Sequence, residues 1–152
     1  MSSKLIRPRS KRDSTRHQCP FSADAPASGS GLIAWLDGQP PESIWTTTIT
    51  VFEIRFGLEI LARGRKRKAL EVAFASALDE DLGGRVLPFD RAAAEAASAI
   101  AARQREAGRP VEIRDVQIAG IAAARKATLA THNIRHFQGT GITLIDPWSS
   151  NS

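Results

Sequence analysis

Cysteine is nearly absent: Cys19 is the only one among 152 residues. Intrachain disulfides and Cys-rich zinc sites are therefore excluded, and only an intermolecular bridge is open. The histidines, His17, His132 and His136, are too few and too scattered for a structural zinc centre. Long apolar runs are missing as well. None approaches the ~20 residues needed to cross a bilayer, and the basic, Ser-rich N-terminus has no apolar centre of the kind a secretory signal requires. A cytoplasmic chain that does not enter membranes is expected. Also lacking are a Gly-rich phosphate loop, a Gly-x-Ser-x-Gly elbow and a cysteine-nucleophile arrangement, which removes the common sequence signals of P-loop, serine and cysteine chemistry.

What is present suits one soluble α/β domain with a tail. Hydrophobic residues make up 42% of the chain and charged residues 24%, enough for a packed core. The formal charge of +5 is uneven. Residues 1–30 carry six cations (Lys4, Arg7, Arg9, Lys11, Arg12, Arg16) against Asp13 and Asp24, whereas residues 31–152 carry 15 against 14 acids. The body is nearly neutral, so its overall basicity says little about partners.

Residues 1–30 show no apolar period and read as a disordered or poorly packed basic segment. The folded domain is expected over 31–148, with 149–152 as a short tail. Leu32, Ile33, Trp35 and Leu36 form one face of a short helix stopped by Gly38 and Pro40-Pro41. Ser43 to Ile49 is β-prone and leads into Thr50-Val-Phe-Glu53, the spacing of a capping box, followed by Ile54, Leu58 and Leu61 at helical intervals up to Gly64. Further expected elements are a helix from Arg65 to Leu82 and a strand from Arg85 to Phe89. An Ala-rich helix follows from Asp90 to Glu106, closed by Gly108 and Pro110. A helix from Asp115 to Lys126 and strands at Ala127–Thr131 and Ile142–Ile145 complete the set. This alternation predicts an α/β domain with a mainly parallel sheet flanked by helices. Ligands in such folds bind outside the carboxyl ends of the strands.

Two carboxylates fall at those ends. Glu53 either reaches over the sheet edge to a hard divalent cation or completes a reciprocal cap with Thr50. Asp115 either converges with Glu53 on the same cation or caps its helix. In Thr131-His-Asn-Ile-Arg-His136-Phe137, Asn133 shapes a turn or orients a ligand, and His136 is a candidate contact. The cluster Arg63-Gly-Arg65-Lys66-Arg67-Lys68 either engages phosphates or is a solvated, frayed helix start. No aromatics interleave it for base stacking.

The stretches Ala34-Trp-Leu-Asp37, Pro40-Pro-Glu-Ser43, Trp45-Thr-Thr-Thr-Ile-Thr-Val-Phe-Glu53-Ile-Arg55-Phe-Gly57, Gly84-Arg-Val-Leu-Pro-Phe-Asp90, Ala107-Gly-Arg-Pro110, Asp115-Val-Gln-Ile-Ala119, Ala127-Thr-Leu-Ala-Thr131-His-Asn133 and Ile145-Asp-Pro-Trp148 run in a fixed order. Together they resemble the PIN-domain toxins of the VapC and FitB type. The resemblance implies a PIN-like, Rossmann-like fold and a Mg2+-dependent endoribonuclease, with Mn2+ as an alternative. It also implies an RNA substrate, a cognate antitoxin of the VapB type and a homodimer. In that family four acids ring the metal. Glu53 and Asp115 match the second and third, as catalytic and metal-holding residues, and Arg55 is a candidate phosphate contact. The first acid sits in an Asp-Thr-Asn strand that is missing from residues 1–30, and His136 stands where the fourth would be. Imidazole favours manganese over magnesium as a replacement ligand. Without that strand the sheet is expected to lack its usual first element, and activity is expected to be impaired. The alternative is a degenerate, non-catalytic module that binds antitoxin or dimerises.

Overall fold

In the computed structural model, residues 5–8, 38, 40 and 43–147 are described. The helix expected around Leu32–Leu36 lies outside them. The threonine run splits between two states. Thr46–Thr47 forms strand β2, and Thr48–Glu59 is helix α1. Thr47 keeps an extended backbone (φ −121°, ψ 156°), and its hydroxyl accepts the Thr50 N–H at 3.0 Å. Thr47 is thus the cap, not Thr50, and the strand stops short of Ile49. Neighbouring threonines are equivalent as local signals; only the last extended one can turn its oxygen onto the third helical N–H.

Helix α2, Arg65–Ser76, widens into a π turn at Ala77–Asp81 and ends at Gly83 and Gly84, both with positive φ. Strand β3 is Val86–Leu87. Asp90 caps α3, Arg91–Glu106, by accepting the Ala93 N–H at 2.9 Å, and Gly108 at φ 69° lets the chain leave it. After these come α4 (Ile113–Ala124), β4 (Ala127–Ala130), α5 (Ile134–Phe137) and β5 (Thr143–Ile145).

β2 pairs with β3 in parallel, Thr46 opposite Val86, and β4 pairs with β5 in parallel, Thr128 opposite Thr143. The second edge of β4 is filled from the N-terminal segment. Leu5–Pro8, read from sequence as part of a poorly packed tail, is a strand, β1. It pairs with β4 antiparallel, from Leu5 opposite Ala130 to Pro8 opposite Ala127. β1 also lies beside β2, so it bridges the two parallel pairs. The physical reason is the demand of β4: a buried strand with one unpaired edge leaves N–H and C=O groups without partners. Any short extended segment within reach relieves that cost, in either direction. Proline is tolerated there because it closes the ladder at an end.

Helix α4 is the buried axis of the domain. Val116, Ile118, Ala119, Ile121 and Ala122 are all buried, and α4 touches α3, β4, α1 and α5. Its apolar residues pack with Leu129, Phe137, Ala93 and Ile100. The small side chains of α3 let the two helices close up: a Cβ added at Gly120 would lie 2.5 Å from the Ala93 carbonyl oxygen and 2.6 Å from the Ala97 Cβ. A smaller cluster of Ile54, Leu58 and Phe74 joins α1 to α2.

Candidate active site

Asp115 is the third residue of α4 and only 6% exposed. It does not cap that helix. Glu112 does, accepting the Asp115 N–H at 2.8 Å. Burial pushes the Glu112 carboxyl up, but the N–H groups of Asp115 and Arg114 and the Arg114 guanidinium outweigh it and hold the group below its usual range. With Glu112 at the cap, the Asp115 carboxylate points elsewhere. Its Oδ2 lies 3.1 Å from Nδ1 of His136, on α5. Imidazole donates from that nitrogen whether charged or in the Nδ1–H tautomer.

Both residues line a cleft of about 470 Å³, together with Gln104, Arg109, Glu112 and Arg135. The Arg109 guanidinium is tethered to the Gln138 carbonyl at 2.9 Å. Two guanidiniums beside two carboxylates, Glu112 and the buried Asp115, form a polar surface on which the guanidiniums can meet a phosphate ester. Sequence reasoning missed Glu112, Arg109 and Gln104. The Glu112-x-x-Asp115 spacing was the available signal, because a carboxylate three residues ahead of another frees the second from capping.

Glu53 sits in the second turn of α1, half-buried, and that helix has no acid in its first turn. With Thr47 as the cap, the reciprocal box with Thr50 does not form. Glu53 is not among the residues lining the cleft around Asp115. Arg55 is exposed and lays its guanidinium over the Phe74 ring, 5.1 Å from the centroid. That contact braces α1 on α2. Asn133 precedes α5 with φ −92°, not left-handed, and its N–H donates to the Thr131 hydroxyl at 3.1 Å.

The described residues do not form a complete divalent-cation centre. Among the described residues no three His, Cys, Asp or Glu side chains are arranged to hold a metal ion, and one oxygen of Asp115 is engaged by His136. The direction of β1 matters equally. Leu5 lies opposite Ala130, at the carboxyl end of β4, and Leu5–Pro8 contains no acid.

Residues 29–141 match the family model for the PIN domain. The chain belongs to the PIN-domain family. This PIN chain is 34% identical to the plasmid stability protein StbB of Pseudomonas syringae pv. tomato, over 78% of its own length and 86% of that protein. It is 32% identical to the VapC ribonuclease Y4jK of Sinorhizobium fredii, over 77% and 84%. Among solved structures, FitAB bound to a DNA fragment superposes with a TM-score of 0.74 at 28% identity, covering 82% of this chain and 87% of that one. The PIN domain is thus of the VapC/FitB toxin type. None of the described helices is long and apolar enough to cross a membrane.

Proposed function

We propose that this PIN domain is the toxin of a toxin–antitoxin pair, of ribonuclease type, with an impaired nuclease centre. The observation that carries the reading is Asp115: buried at the head of α4, released from capping by Glu112 and facing a cleft that also holds Arg109 and Arg135. The guanidiniums attract and orient a phosphodiester, and Asp115 supplies the negative charge that a hydrolytic centre of this family requires. Impairment follows from the same geometry. His136 satisfies the carboxylate that a cation would otherwise share, and β1 brings no acid to the sheet edge.

Magnesium and manganese titration by calorimetry tests this, alongside a Glu53→Gln/Asp115→Asn variant and cleavage of an RNA pool. Weak cation binding that the variant abolishes, with RNA cleavage on the order of 100-fold below a four-acid relative, is the expected outcome. Cleavage at the full rate of such a relative overturns the impairment; no cleavage by the folded chain with either ion overturns the nuclease.

A second reading, a non-catalytic module that binds antitoxin, is favoured by the outer face of α1. Phe52, Phe56 and Ile60 are 57%, 52% and 70% exposed at successive four-residue steps, and the two rings stack with centroids 6.1 Å apart. An apolar ridge of this kind suits an amphipathic antitoxin segment. Retained capture of the co-expressed antitoxin, lost in Phe52→Ser/Phe56→Ser and accompanied by no cleavage, selects this reading. Homodimerisation, also implied by the family, is read by light scattering.

A further inference from the structure

Residues 63–68 place five cations in six positions, so that the rest of residues 31–152 holds 10 cations against 14 acids. The structure separates them into two groups. Arg67 is held inside the turn between α1 and α2: its Nε meets Glu71 at 2.7 Å, one terminal nitrogen meets Glu59 at 2.9 Å, and the other donates to the Glu59 and Leu61 carbonyls at 3.3 and 3.4 Å. Glu59 and Glu71 are thereby committed to Arg67. Arg63, Arg65, Lys66 and Lys68 are exposed and have no acidic partner among the described residues. Arg63, Arg65 and Lys68 border a shallow concavity of about 550 Å³ together with Arg67 and Glu71, and Lys66 lies beside it in sequence.

Helix stability does not account for this placement. Cations in a first turn oppose the helix dipole, and Gly64 offers no side-chain cap. Yet α2 begins at Arg65. The brace that Arg67 makes holds the backbone that carries the other four charges, and their mutual repulsion favours the approach of a polyanion.

We propose that Arg63, Arg65, Lys66 and Lys68 form a sequence-independent contact for the phosphate backbone of single-stranded RNA, apart from the Asp115 cleft. The proposal rests on the ribonuclease reading. The absence of interleaved aromatics argues for contact with phosphates rather than bases, and the flexible exposed side chains suit a backbone whose path varies.

The test is fluorescence anisotropy with a labelled single-stranded RNA, in EDTA so that no cleavage occurs. The full chain is compared with Arg63→Gln/Arg65→Gln/Lys66→Gln/Lys68→Gln. A control, Arg91→Gln/Arg105→Gln, removes exposed charge from α3. Glutamine is a good helix former and relieves the unfavourable dipole interaction, so the fourfold variant is expected to melt no lower than the parent. Each phosphate that the variant no longer neutralises lowers the slope of log K against log salt by about 0.7. A slope reduced by about 2 to 3, with affinity at least about tenfold weaker at 0.1 M salt and a smaller change in the control, is the expected result.

An unchanged slope and affinity in the fourfold variant overturns the proposal, and so does a parent that binds no RNA. Tighter patch-dependent binding to duplex DNA of equal length overturns RNA as the occupant. Failure of the ribonuclease reading shows separately, as absence of cleavage when magnesium or manganese is supplied to the parent.

Discussion

His136 decides more than any other side chain at the candidate site. Its imidazole is within hydrogen-bonding distance of the Asp115 carboxylate, and we propose that it takes the place of the family's fourth acid. Replacing His136→Asp puts a second carboxylate beside the first and removes the competing donor. Magnesium binding by calorimetry is expected to tighten by about tenfold or more; an unchanged isotherm would show that the first acid, absent from this chain, is the limiting one. At the same scale, Gly120→Ala inserts a methyl group against the α3 backbone. Overpacking of this kind costs about 1–3 kcal/mol, to be read from the urea midpoint at constant slope. How much of the site was legible follows the type of signal. Asp115 stood out because acids at strand-to-helix crossings are few, whereas Glu53, singled out on the same ground, does not line the cleft. Glu112 was hidden because a carboxylate at a helix start has an ordinary explanation, and here it has that explanation and a place in the cleft. The pairing of His136 with Asp115 joins residues far apart in sequence, on two different helices, and no local pattern announces it.

Among the elements, α3 and α4 show what local signals can and cannot deliver. Asp90, Gly108 and Pro110 bound α3 in sequence as they do in space, because a cap and a positive-φ glycine act within one turn. The threonine run was ambiguous because several adjacent hydroxyls compete for one N–H. Asp90 also reaches Arg125 at 2.8 Å and so ties the start of α3 to the end of α4. Its carboxyl is held below the ordinary aspartate value of 3.8, chiefly by the Ala93 N–H, with burial opposing and Arg125 assisting. A depressed folded value means that the group stabilises the fold above the unfolded value and loses that contribution as pH falls through the folded one. Asp90→Ala should therefore melt below the parent at pH 7, and the gap should close as pH drops below about 4. A gap that persists into strong acid would assign the effect to something other than the charged cap.

For the whole molecule, the sheet is the unexpected result. A mainly parallel arrangement was legible from the alternation of elements, and Leu5–Pro8 was not. Nothing in a short basic segment marks it as a strand; the demand comes from β4, near the other end of the chain. Deleting residues 1–8 leaves one edge of β4 open. A loss on the order of 2–4 kcal/mol is expected from the backbone bonds removed, with faster amide exchange at Thr128 and Leu129 as the local readout.

The pairing of β1 with β4 also sets a timetable. Leu5 is made well before its partner Ala130, with 124 residues between them. Closing so long a loop is entropically costly, and contacts of that separation form late. Helices α1 to α4 can form while translation continues, but the pairing of β1 with β4 closes only after β4 has emerged. The delay leaves β4 with one unpaired edge until the two segments meet, and a nascent-chain protease assay should see protection of Leu5–Pro8 appear only after β4 has emerged.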